Sequence, residues 1–255
     1  MPGHKTQPPA STGLNDDLFQ VFFEIALSIG ISKDLNRMLK NSIVSYIRKL
    51  FCSAACVIRY QKESDGTYES INEFSIPYTI EVKETFRKLI ESIPRIESEA
   101  DYHKMTSSDP VVMSADEALF VYIFSLPGFG LLLLVTRDEP FSEPVIRLIR
   151  DLNKKLAESA VACLQIQALE ENEARYRDLT DMLPEMICET DLYGTITFVN
   201  QYALDKSGYS KEEALDHFPI FKVIRKEEHS RFALEMKRCL ETRTQVTTEF
   251  SFIKK

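Results

Sequence analysis

The chain has 255 residues, enough for one large domain or two small ones. Its 31 Lys and Arg stand against 39 Asp and Glu, and only eight glycines are present. An acidic surface repels a phosphate backbone, which argues against a nucleic-acid partner. So few glycines, well below the usual ~7%, argue against a glycine-lined nucleotide cradle. Five cysteines without paired spacing do not make a disulfide framework. With no secretory signal pattern at the start, a reducing, cytoplasmic setting is expected.

Residues Met1 to Gly13 are polar and proline-rich and read as a disordered lead-in, with His4 inert inside it. Asn15, Asp16 and Asp17 suit a helix start, and Leu18, Phe22, Ile25 and Ile29 follow at helical spacing up to Gly30. Ser32 is expected to cap a second helix whose apolar side carries Leu35, Leu39, Ile43, Tyr46, Ile47 and Leu50. The period then shortens. Ser53–Tyr60 and Tyr68–Ile76 read as strands joined by an Asp65-Gly66 turn. Val82, Phe86, Leu89, Ile90 and Ile93 predict a short helix, and Ile96–Met113 an irregular polar lid.

Ala118–Val135 carries no charge and is long enough to raise a membrane span. Pro127-Gly128-Phe129-Gly130 interrupts it with a turn signal, so two buried strands, from Leu119 and from Leu131, explain the run better. From Ser142 no Gly or Pro follows Pro144 until Pro184, which predicts a helix of about forty residues. Leu152, Leu156, Ser159, Cys163 and Ile166 give it a heptad-like stripe. Its first half is expected to pack on the preceding sheet and the rest to pair with a second copy. Beyond Pro184 a hairpin pairs residues 186–190 with 195–199, short helices run from Tyr202 to Leu215, and a helix spans Glu227–Thr242. A last strand is predicted from Val246 to Phe252.

Two resemblances arise from these residues. Phe124-Ser125-Leu126-Pro127-Gly128-Phe129-Gly130-Leu131-Leu132-Leu133, followed by Glu139-Pro140-Phe141-Ser142, resembles the final hairpin of a GAF domain and its entry into the closing helix. That likeness covers about 15–165 in element order. Leu183-Pro184-Glu185-Met186-Ile187-Cys188-Glu189-Thr190-Asp191, then Gly194 to Asn200, Gly208-Tyr209-Ser210 and Glu212 to Leu215, resembles the opening hairpin and first helices of a PAS domain. The PAS resemblance implies a five-stranded antiparallel sheet in order 2-1-5-4-3. Only three of those strands fall within residues 183–255, so the PAS unit is expected to lack its last two strands and to carry an open edge.

The fold class is therefore α+β: a GAF-type antiparallel sheet flanked by helices (15–165), a long connector helix (142–182) that overlaps its end, and an incomplete PAS-type antiparallel sheet with helices (183–255). The resemblance implies a signal-sensing region of the kind that precedes a histidine kinase. The expected partners are a second copy through the connector and a downstream kinase or response-regulator system. No catalytic motif, metal-ligand cluster, kinase phosphoacceptor box, cyclase signature or nucleophile elbow is found. Glu-Ala-Leu at Glu117 and at Glu213 is a chance match to a phosphodiesterase motif name.

Candidate sensing residues follow from strand and lid positions: Val57, Arg59, Phe74, Tyr122 and Phe124, with Tyr102 and His103 from the lid. Arg59 suits an anion or an exposed strand position. Haem is the one cofactor kept open. His103 could reach into a pocket, and His229 sits on the PAS helix that supplies the haem ligand in relatives, although the matching position falls near Phe232; His217 is the weaker choice. Cys52 and Cys56, expected on one face of the first strand, and Cys163 on the helix seam, are redox candidates or plain apolar fillers. The competing reading is a dimerisation scaffold without a ligand.

Overall fold

The computed structural model describes residues 12–76, 96, 98–107, 111–116 and 119–255. They divide into two compact units, residues 1–168 and 169–255. The fold is mixed α+β, with an antiparallel sheet in each unit.

The first unit opens with α1 (Thr12–Ser28) and α2 (Leu35–Lys49). The first starts ahead of the expected Asn15-Asp16-Asp17 cap. The cap of α2 is Asp34, whose carboxylate accepts from the Arg37 amide at 2.7 Å. Ser32, the predicted cap, instead accepts from the Asp34 amide and so shapes the approach.

Five strands follow in chain order: β1 (Ala54–Lys62), β2 (Tyr68–Ile76), β3 (Val111–Asp116), β4 (Leu119–Leu126) and β5 (Gly130–Arg137). They form one antiparallel sheet in the order β2-β1-β5-β4-β3. Helix α3 (Glu99–Ser107) lies between β2 and β3 in the chain. Where the predicted polar lid is described, it is this helix and the start of β3, an edge strand of the sheet. The helix start was legible in principle: Ser98 accepts from the Asp101 amide, and Glu99 and Asp101 occupy the first turn. It lacks the apolar stripe by which a helix is recognised. The predicted 82–93 helix lies outside the described residues.

The run of Leu131 to Val135 is buried throughout: β1 and β4 cover the two edges of β5, the central strand, and both of its faces carry apolar clusters. Leu132 and Leu134 pack with Ala55, Val57, Tyr122 and Phe124 against α1, α2 and the long helix α4 (Glu143–Asp181). Leu131, Leu133 and Val135 join Ala54, Cys56 and Ile58 on the other face. Each buried leucine contributes about 2 kcal/mol. At the turn, Phe129 is itself buried and Gly130 lies against the backbone of β1. In the helical layer, Tyr46 donates to Asn153 Oδ1 at 3.0 Å, both fully buried, and burial pushes the Tyr46 phenol far above its ordinary value. No helix among the described residues is long and apolar enough to cross a membrane.

α4 runs for 39 residues, as its sequence predicts, and passes from the first unit into the second. Its first half packs on the sheet as expected, and the packed stripe runs on to Cys163, a seam position in the sequence pattern. Leu152, Leu156 and Cys163 are buried in the core of the first unit, together with Ala157 and Ala160. Only after Ile166 do large apolar side chains on this helix become exposed, at Leu169, Tyr176 and Leu179.

The second unit holds the hairpin β6 (Cys188–Thr190) and β7 (Ile196–Val199), then α5 (Gln201–Ser207), α6 (Lys211–Leu215), two short 3₁₀ turns (Ile220–Val223 and Lys226–Glu228) and α7 (His229–Thr242). Asp191 closes the hairpin by accepting from the amides of Tyr193 and Thr195, with Gly194 at φ +82°. Ser210 and Glu213 cap α6 reciprocally. The predicted strand at 246–252 is not one. Its sole bridge among the described residues joins Phe252 to Ile224, and the Ser251 backbone bonds to the Arg225 amide and the Glu228 carboxylate instead of to a neighbouring strand.

Candidate functional site

The candidate residues drawn from the first unit do not converge. Val57, Phe74, Tyr122 and Phe124 are at most 8% exposed and belong to the packed layer between sheet and helices. The Tyr122 hydroxyl accepts from the Phe141 amide at 2.7 Å, and its ring lies 4.6 Å from that of Phe141. Arg59 is committed to Glu73 at 2.5 Å and to Gln61 at 2.9 Å, so it holds the β1–β2 pair together. Tyr102, on α3, stacks on Tyr68 at 5.1 Å and meets Tyr60 edge-on, and Tyr60 packs with the opposite face of the sheet. His103 is exposed beside Tyr102. The seven therefore divide between two sides of a sheet and outline no common pocket.

The cysteines also separate. Cys52 precedes β1 and faces the helices, while Cys56 within β1 faces the other side. The shared face expected for them required both to lie in regular strand, and the strand starts only at Ala54. Burial pushes the Cys52 thiol up to about 12, and a thiol held protonated is a poor nucleophile. Cys163 is 3% exposed, with its sulfur 3.5 Å from the Ser32 carbonyl, so it cannot meet a twin across a helical seam without opening this core.

The second unit contains a cavity of about 200 Å³. β6 and β7 supply Cys188, Ile196 and Val199; α5 supplies Ala203, Leu204 and Ser207; the segment after α6 supplies Phe218, Ile220, Val223 and Ile224. The side chains are apolar with few exceptions, Ser207 and Tyr209 among them, so the interior offers dispersion contact and little hydrogen bonding. Simple alternation along β7 would send Ile196 and Val199 to opposite faces; the register slips between Glu189 and Thr190, and both line the cavity, while short helices close the sides. An apolar cavity of ~150 Å³ can hold a benzene molecule, so this one suits a ligand of one or two rings or a short chain.

One wall is fixed by Asn200, fully buried between β7 and α5. Its Oδ1 accepts from the amides of Ile187 (3.0 Å) and Ala203 (3.1 Å). Its Nδ2 donates to the carbonyls of Thr180 (2.8 Å) and Glu185 (2.9 Å). Asp181 adds a bond by accepting from the Gln201 amide at 2.6 Å. Thr180 and Asp181 are the last residues of α4, so the cavity wall and the end of the long helix share one hydrogen-bonded joint. Asn200 ends the PAS-like stretch that starts at Gly194, but four bonds to segments up to 20 residues away are not visible in the sequence.

The histidines weighed for haem lie apart from this cavity: neither His217 nor His229 lines it. His229 places Nε2 2.9 Å from the Ile224 carbonyl, and its ring meets Phe221 at 5.3 Å. His4 is outside the described residues.

Compared with known protein families, residues 174–237 match the PAS domain. The match begins in the last turns of α4 and ends within α7, so it contains Asn200 and most of the cavity wall. A PAS-type domain points to a signal-sensing module. The sequence matches none of the curated proteins compared with it. Among solved structures, the E. coli DhaR(N)–DhaL complex is similar at a TM-score of 0.40 and 9% identity, over 98% of this chain and 82% of that one, a likeness too distant to carry detail of the site.

Proposed function

We propose that the chain is a sensory module in which a small apolar ligand occupies the cavity of the second unit and changes the state of the long helix through Asn200. The observation that carries this reading is the joint: the residue that fixes the cavity wall also holds the end of α4. A ligand can bias two states of a protein only by contacting them differently, and a cavity wall tied to a helix end provides such a difference. In this reading the chain regulates and does not catalyse. Residues 15–165 act as a GAF-like domain, and the whole as the input region of a cytoplasmic histidine kinase or related response-regulator system.

The same proposal places a homodimer contact on the later part of α4. Leu169 and Leu179 are 59% and 58% exposed on this helix, with Leu183 just beyond it. Exposed leucines on one long helix also favour the second reading, a scaffold that dimerises without a ligand.

Toluene separates the two. At ten times its dissociation constant it should stabilise the full chain by ~1.4 kcal/mol, seen as a rise in the unfolding temperature. Ala203→Leu, which puts a larger side chain into the cavity from α5, should remove that rise while leaving the chain folded. An unfolding temperature unmoved by toluene in the parent chain would favour the scaffold.

A further inference from the structure

We infer that residues 249–255 form a strap that closes the cavity of the second unit, with Phe252 as its plug and the Lys255–Glu213 pair as its latch. The inference rests on the cavity being a ligand site and concerns how a ligand enters it.

The strap is held at two ends and passes over the cavity between them. Near α7, the Phe250 ring packs edge-on against Phe232 at 5.1 Å and lies under the Arg231 guanidinium at 4.6 Å. The Ser251 amide donates to the Glu228 carboxylate at 2.7 Å. At the other end, Lys255 reaches Glu213 at 2.5 Å and lies 5.5 Å from the Tyr209 ring, while its amide donates to the Ser207 carbonyl. Between these ends Phe252 lines the cavity while 38% of it remains exposed, as befits a ring at a mouth. Ser207 and Tyr209, which the latch end touches, line the same cavity.

The other walls belong to a hairpin, to capped helices, to the Asn200 joint and to the 218–224 segment, which the Ile196 amide and the Gly194 carbonyl tie to the hairpin by backbone bonds. The strap has one bridge, a few backbone bonds and an ion pair whose members are half exposed. Walls held by solvent-exposed bonds open first. A ligand larger than the space beside Phe252 must move that ring, so occupancy and strap release are coupled. The strap is then an internal competitor that sets the affinity of the site.

The chain has no tryptophan, so Phe252→Trp in the full chain gives a single indole reporter at the mouth. Its emission and its quenching by acrylamide should show a partly shielded ring. Adding Lys255→Glu, which sets two carboxylates against each other at the latch, should at least double the quenching constant. Saturating dodecanol, whose chain is too long for a cavity of about 200 Å³, should do the same, whereas toluene fits beside the ring and should not. Phe252→Ala is the second variant, with nothing to displace, and should bind dodecanol about three- to tenfold more tightly by thermal shift. The inference is overturned if the indole is as accessible as free tryptophan from the start, or if Lys255→Glu leaves quenching unchanged. It is also overturned if dodecanol stabilises the parent chain without moving the indole or gaining affinity in Phe252→Ala. Failure of toluene and dodecanol to stabilise any variant, with the latch response intact, counts against the ligand reading alone and supports the strap as a closure.

Discussion

Gly130→Ala is expected to destabilise the first unit by about 3 kcal/mol or more, the cost of forcing bulk into a packed core with no room to relax. A Cβ at this position would sit 1.9 Å from the Ile58 carbonyl oxygen and 3.0 Å from the Arg59 Cα. Those atoms are backbone of β1, fixed by pairing with β2 on one side and β5 on the other, so they cannot yield without breaking the sheet. Gly66→Ala is the matched control. That glycine has φ +90° but nothing within 4 Å of the added carbon, so it carries only the backbone penalty of about 1 kcal/mol. Thermal unfolding should place Gly130→Ala roughly 6–12 °C below the parent chain and well below the control. Equal shifts for the two would mean that β5 does not approach β1 as described.

Asn200→Ala is expected to cost the second unit about 3 kcal/mol, because it leaves the Ile187 and Ala203 amides and the Thr180 and Glu185 carbonyls without their partner at one stroke. Asn200→Asp keeps the two acceptor bonds but turns a carboxylate toward two carbonyl oxygens, so it should also destabilise, and more at neutral pH than at pH 4, where the carboxyl regains a proton to donate. Denaturant unfolding of the full chain should show the early transition in the second unit for both variants. A loss below about 1 kcal/mol for Asn200→Ala would remove the joint on which the sensing proposal stands.

The fold was legible where one local signal sufficed. Pro127-Gly128 resolved a membrane-length run into β4 and β5, and Asp191 with Gly194 marked the second hairpin. The long helix followed from the lack of Gly and Pro between Pro144 and Pro184. Elements without such a signal were missed. α3 has an N-terminal serine and acids but no apolar stripe, and β3 is recognised only by its pairing with β4.

The site was much less legible. Strand position singled out Val57, Tyr122 and Phe124, which do share one face, but position does not say whether a face meets helices or empty space, and here it meets helices. Cys52 shares one face with Cys56 only if the strand reaches it, and the strand begins at Ala54. The predicted last strand carries the alternation of a strand, but a ladder needs a neighbour, and Phe252 finds only Ile224. Cavity, joint and strap all depend on contacts between segments far apart in the chain, as with Lys255 and Glu213, 42 residues distant.

The central claim is that occupancy of the cavity reaches the end of α4. Amide hydrogen exchange on the full chain, with and without saturating toluene, tests it at residues that do not touch the ligand. The Gln201 amide, bonded to Asp181, and those of Met182 and Leu183, bonded back to Asp178 and Thr180, should exchange about tenfold more slowly when the cavity is filled, matching ~1.4 kcal/mol of added protection. Protection that rises at Ile196, Val199 and Leu204 but stays unchanged at Gln201, Met182 and Leu183 would show a ligand held in a cavity that signals nothing to the helix.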